Sequence, residues 1–375
     1  GRAGPWTVGA LNVVTEQTTL DDGEVEPQTL WSVISLRRNI LSRSSVGVLV
    51  TSKDPHGGES DQTFGVDTNL ALGNFTSVRT QLATVSGADA GNDSYAYTGS
   101  FNFDTDLWQV RLNTQRIGED FDPQMGFLRR GSIRESEVEL EYAPRPEALG
   151  IRQVTLTTQG SYLTDLDNRL LTRELQLRTS FFMENTSNVF LTFSRQFELE
   201  PDGFTVYTDP DDDSTVDVAP GAYEWSKVSL RGRSDGRGSF SLGGGGSWAV
   251  GWWGGRQLSG NLDLTWRPVP NSSNTISVGR NAAWDLQTPG RDHFIANTLS
   301  LRVNYAFTPR LFTKAYVQLN DARNAIVSNY LLHWIVRDGT EVYLVYNEQY
   351  DTGEGFEPFA TNRTLILKAT YLLLW

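Results

Sequence analysis

Apolar and polar residues alternate with a period of two along almost the whole chain, and that period predicts strands. In the stretch 364–375, Leu365, Leu367, Ala369, Tyr371, Leu373 and Trp375 fall on one face, all apolar or aromatic. The other face, from Thr364 through Lys368 to Leu374, is mixed. The stretch 131–143 is sharper. Ser136, Val138, Leu140 and Tyr142 share one face, and Glu135, Glu137, Glu139 and Glu141 share the other. In 106–118, Trp108, Val110 and Leu112 oppose Gln109, Arg111, Asn113 and Gln115. In 168–184, Leu171, Leu175, Leu177 and Phe181 oppose Thr172, Glu174, Gln176, Arg178 and Ser180. In 292–307, Leu299, Leu301, Val303 and Tyr305 oppose Thr298, Ser300, Arg302 and Asn304.

Turn residues between such stretches place strands at 6–16, 28–39, 44–53, 62–72, 74–86, 92–103, 106–118, 131–143, 149–163, 168–184, 187–201, 220–234, 236–249, 254–268, 273–285, 292–307, 309–321, 325–337, 339–350 and 360–375, about 20 in all. No amphipathic helix stands out. Short connections such as "GNFT", "DTD" and "RDGT" take turns with longer acidic ones such as "TTLDDGEVEPQ" and "EPDGFTVYTDPDDDSTVDVAPG". Outer-membrane barrels have short periplasmic turns, longer outer loops and, in bacteria, even strand numbers. The predicted fold is all-β: a single transmembrane antiparallel β-barrel of about 20 strands over residues 1–375, with both termini periplasmic.

A soluble antiparallel sheet with one wet face alternates in the same way. Four successive carboxylates argue against a dry interior, because an unpaired buried charge is costly. Trp108, Trp225, Trp248, Trp252, Trp253, Trp266, Trp284, Trp334 and Trp375 lie near strand ends, as aromatics do at a membrane–water interface. Closure would also remove the edges of so large a sheet. Composition adds bounds. With no Cys there is no disulfide framework and no thiolate metal site. A formal charge of −13 argues against nucleic acid. The opening "GRAGPWTVGALNVV" is already strand-like and shows no signal peptide, so it reads as a processed or excised segment.

Candidate chemistry is sparse. His56 sits in the loop "KDPHGGES", His293 follows Asp292 at a strand start, and His333 shares the polar-face parity of Asn329. A barrel hydrolase would need one of them beside a nucleophile or paired carboxylates. Asp209, Asp211, Asp212, Asp213 and Asp217 could offer oxygens to a hard cation, but the stretch lacks the glycine and terminal Glu of an EF-hand loop. The run "SLGGGGSWAVGWWGG" is no phosphate loop, and glycine on an inner face would admit a loop or plug. The Glu135–Glu141 ladder reads either as a wet wall paired with inward arginines such as Arg111 or Arg178, or as a cation-favouring strip in a pore.

The stretch "RIGEDFDPQMGFLRRGSIRESEVELEY" (Arg116 to Tyr142) resembles a hallmark of an uncharacterised bacterial outer-membrane family. Its members carry an N-terminal domain similar to family 9 carbohydrate-binding modules, followed by a C-terminal barrel domain of unknown function. "WTVGALNVVTEQ", "LRRNILSRSSVGVLVTSKD" and "TFGVDTNLALG" resemble successive strands of that barrel domain. The resemblance covers nearly the whole chain and implies only an indirect link to carbohydrate. It also implies that Tyr371, Leu373 and Trp375 form a C-terminal signal read by the barrel-assembly machinery.

The expected location is the bacterial outer membrane, among lipid and lipopolysaccharide. The expected function is a channel or translocation pore for a solute or polymer, lined by Glu135, Glu137, Glu139, Glu141, Arg111, Glu174, Arg178 and Arg302. The alternatives are an anchor for a periplasmic domain or partner complex and, third, a barrel enzyme. No cofactor is implied.

Overall fold

A computed structural model of the chain describes residues 1–19, 23–87, 90–288, 290–353 and 361–372. It is all-β, with 25 strands and one 3-10 turn, Asp321–Arg323, among the described residues. Twenty-one strands belong to one sheet. Thr18–Thr19 with Val25–Glu26, and Phe204–Thr208 with Thr215–Val218, form two separate hairpins. No helix among the described residues is long and apolar enough to cross a membrane, a fact that says nothing about strands.

The long strands follow the alternation. Trp108–Ile117 falls within the expected 106–118, Ile133–Tyr142 within 131–143 and Gly255–Trp266 within 254–268. The count, 25, differs from the expected figure of about 20. The additional strands are Arg2–Ala3, Thr18–Thr19, Val25–Glu26, Phe204–Thr208 and Thr215–Val218. They lie at the start of the chain or in connections, and are too short to display a convincing period of two.

The chain divides into two compact units. The first is Gly1–Ala143 with Thr157–Gln176, and the second is Pro144–Leu156 with Leu177–Trp375. The expected closure is not among the described pairings. In the first unit, Trp6–Thr15 pairs with Thr29–Ile40 on one side. On the other side Arg2 and Ala3 fold back against Thr7 and Trp6. Gly4, at φ +56°, makes that reversal possible in a region that L residues rarely enter. In the second unit, Asn362–Thr370 pairs with Thr340–Asp351. Every residue of Trp6–Thr15 is exposed, as is all of Asn362–Thr370 except Thr370.

Apolar side chains do not gather into a large core. Many large apolar side chains are exposed instead. Leu112 is 44% exposed and Val138 37% in the first unit, and Leu262 is 50% exposed in the second. Among the described residues the only large side chain fully buried is Val216, in the hairpin of a long loop.

Candidate functional site

The polar face of the first unit is built on two neighbouring strands, Trp108–Ile117 and Ile133–Tyr142. Their register sets Gln109, Arg111, Asn113 and Gln115 opposite Glu141, Glu139, Glu137 and Glu135. The period of two puts all eight on one face. Arg111 forms an ion pair with Glu139. Asn113 donates to Glu137 at 3.2 Å and Gln115 to Glu135 at 2.5 Å. From Ile151–Asp165, Gln159 donates to Glu139 and Thr157 to Glu141 at 3.5 Å. Each carboxylate thus meets a donor from a flanking strand. Such cross-strand pairs are worth about 0.2–1 kcal/mol each. The Arg111–Glu139 pair sits at the low end, because solvent screens side chains that are 46% and 20% exposed.

Two hollows open on this face. One of about 360 Å³ is lined by Arg79, Gln81, Asn113, Arg129, Glu135 and Glu137. The other, of about 260 Å³, is lined by Arg111, Glu137, Glu139, Gln159, Ser161 and Glu174. The structure therefore brings Glu174 to the ladder, together with Arg79 and Arg129, which the alternation alone did not single out. Arg129 lies outside any strand, so no periodicity could place it. Arg178 and Arg302 belong to the second unit. Arg178 keeps the parity of Glu174 and Gln176 on Leu170–Met183. Arg302 stands 5.3 Å from the centre of the Tyr316 ring, its register partner on Leu311–Asn320.

The long acidic loop of the second unit is folded. Phe204–Thr208 and Thr215–Val218 form a hairpin whose Val216 packs with Ala283, Leu286 and Phe294. Trp252 and Trp253 flank this cluster, and Tyr207 stacks on Phe294 at 5.1 Å. Its strands, of five and four residues, are too short for their alternation to stand out from the loop.

The five aspartates do not converge. Asp209 accepts from the backbone of Asp211 and from Arg291, and these hold its carboxyl below the usual range. Asp211 accepts from Asn324 at 2.5 Å. Asp212 is lowered by the Ser214 hydroxyl, and Asp217 by the hydroxyls of Thr205 and Thr215. Asp213 sits at φ +57° and donates its backbone N–H to the Asp209 carbonyl. Among the described residues no three His, Asp or Glu side chains are grouped to hold a metal.

Among the described residues no catalytic constellation forms around the histidines. His293 Nδ1 lies 3.0 Å from Asp292, both more than half exposed. His333 Nε2 lies 3.0 Å from Glu341, with its ring stacked 4.1 Å from Tyr343. Among the described residues no hydroxyl hydrogen-bonds either imidazole. His56 is an exposed loop residue. Of the assembly-signal residues, Leu373 and Trp375 lie outside the described residues. Tyr371 is exposed, with the Arg337 guanidinium 4.7 Å from its ring centre.

No family model matches the chain, and no curated protein sequence matches it. A mutant of the ferric enterobactin receptor PfeA from Pseudomonas aeruginosa is similar in structure, with a TM-score of 0.50 at 9% identity, over 96% of this chain and 71% of that one. The siderophore receptor PiuA from Acinetobacter baumannii is matched at a TM-score of 0.38 and 10% identity, over 97% of this chain and 66% of that one. At these identities the likeness to PfeA is one of fold.

Proposed function

We propose that the chain is a bacterial outer-membrane β-barrel that passes a polar solute or polymer along its polar face. One observation carries this reading. Strand after strand exposes large apolar side chains on one face while the other holds hydrogen-bonded Glu, Gln, Asn and Arg. Such a sheet is costly in water and stable with lipid on one side and water on the other. The fold likeness to PfeA supports it, without naming a cargo.

In this reading the sheet closes in the membrane and both termini are periplasmic. Glu135, Glu137, Glu139, Glu141, Glu174, Arg111, Arg178 and Arg302 line the lumen, and Tyr371, Leu373 and Trp375 address the assembly machinery. Membership of the family with a carbohydrate-binding-module-like domain is part of the same proposal, carried by the stretch from Arg116 to Tyr142. Conductance in a planar bilayer tests the passage. Discrete single-channel currents are the expected result. A heat-modifiable, membrane-inserted protein that passes no current would turn the reading to the anchor.

A further inference from the structure

The outward face of the second unit has a floor without side chains. Within the glycine run, Gly244 and Gly246 alternate with Gly243 and Gly245 and share their face with Leu242 and Trp248. Across the sheet one row reads Leu230, Gly246, Gly260, Arg280 and Asn297. The next row reads Gly232, Gly244, Leu262, Val278 and Leu299. Two adjoining hollows follow. One of about 1050 Å³ is lined by Leu230, Leu242 and Leu262 around Gly244 and Gly246. One of about 640 Å³ is lined by Leu258, Val278, Leu299 and Arg280 around Gly260.

Arg280 is the second observation. Other arginines of this face near the same strand ends pair with acids: Arg195 with Glu224 at 3.0 Å, Arg256 with Asp285 at 3.6 Å and Arg363 with Glu348 at 2.7 Å. Arg280 has no hydrogen bond or ion pair among the described residues. Its neighbour Gly260 offers no side chain. Its neighbour Asn297 gives both its backbone and side-chain N–H to Asp321, each at 2.6 Å. A cation on a lipid-facing wall is costly unless it meets an anion at the headgroup level. Trp248 and Trp284, with ring centres 5.4 Å apart, lie on this face toward the strand ends beyond Arg280, as an interfacial belt would. The glycine floor extends the other way, toward the depth of acyl chains.

We propose that this groove seats one lipid A molecule, with a phosphate on Arg280 and an acyl chain along Gly260, Gly246, Gly244 and Gly232. The assignment rests on the outer-membrane reading. In that reading Arg280 lies toward the long-loop end, where the outer leaflet is lipopolysaccharide.

Native mass spectrometry of the detergent-purified chain tests it, with lipid A and phosphatidylglycerol added in turn. The wild type should retain one lipid A. Arg280→Gln should weaken retention about tenfold, as loss of a charge-assisted contact does, and Arg280→Lys should restore most of it. Gly260→Leu should fill the floor. A side chain there meets its nearest backbone oxygen at 3.4 Å, so the strand can accept it. Arg256→Gln should change little.

Heat modification of each variant reports folding in the same samples. Folded Arg280→Gln that retains lipid A like wild type overturns the proposal. Equal retention of phosphatidylglycerol, or a lipid-free dimer, also overturns it while leaving the barrel intact. A wild type that never becomes heat-modifiable overturns the outer-membrane reading itself.

Discussion

Two walls of this sheet obey the same alternation and differ in what fills it. Across Trp108–Ile117 and Ile133–Tyr142 the polar face carries long side chains that meet across strands, carboxylate against amide or guanidinium. Across Gly221–Arg233, Phe240–Trp252 and Gly255–Trp266 glycines replace side chains on both faces. The first wall gathers charge on its polar side. The second is thin, and opens hollows on its apolar side. A two-residue period decides which face a residue takes, but side-chain length decides whether that face is a network or a groove.

The largest expected effect tests the faces themselves. Leu112→Arg in the first wall and Leu262→Arg in the second place a cation in lipid, at a cost of about 2–4 kcal/mol near mid-depth. Asn113→Arg and Asn261→Arg, one residue away, point to the polar side. The heat-modifiable fraction after refolding should fall for both leucine variants and hold for both asparagine variants. Equal loss at Asn261 and Leu262 would break the face assignment of the glycine wall.

Charge on the polar faces comes next. Changing Glu135, Glu137, Glu139 and Glu141 together to Gln should lower cation preference in reversal-potential measurements. Gly243→Glu should raise it from the other wall, where an added side chain finds its nearest neighbour, Arg233, only at 3.8 Å. Both effects should shrink between 0.1 M and 1 M salt, as the Debye length falls from about 10 Å to about 3 Å. Selectivity that ignores all five positions would mean that neither wall borders the ion path.

Acid should act on the loops above each wall. Asp93 is held below its usual range by the Arg116 guanidinium, whose Nη2 donates to both carboxylate oxygens at 2.8 Å. Asp209 is held down by the Asp211 backbone N–H and by Arg291. A depressed folded pKa gives stability that is present above the unfolded value, about 3.9, and lost as pH falls through the folded one. Limited proteolysis should therefore find the Phe204–Val218 hairpin protected at neutral pH and cut below about pH 4. Arg291→Ala should move that onset to higher pH. An unchanged onset would show that the hydrophobic cluster around Val216, rather than the ion pair, holds the loop.

The smallest effect concerns the ladder's own ion pair. A double-mutant cycle of Arg111→Met and Glu139→Gln should give a coupling of about 1 kcal/mol or less, since both groups meet water. A coupling several times larger would imply a dry wall, and would weaken the case for a water-filled passage.

Much of this was legible in the residues. The alternation of Leu112 with Asn113, or of Val138 with Glu137, specifies strand and face together, because successive side chains on a strand must point to opposite sides. The four-glutamate ladder specified a wet face, since no apolar setting tolerates it. Register was not legible. Arg111 opposite Glu139 and Gln115 opposite Glu135 depend on how two strands slide past each other, and several offsets would keep both patterns intact. The parity of Leu242 and Trp248 carries through the glycine run and tells which glycines look outward. What those glycines lie beside, Leu230, Leu262 and Arg280, came only from the pairing. The acidic loop hid a hairpin because its Val206, Tyr207 and Val216 find partners far along the chain, in Trp252, Ala283 and Phe294. Local period is written in neighbouring residues. Pairing, hollows and a cation with no acid partner among the described residues arise where distant segments meet, and tertiary structure alone decided them.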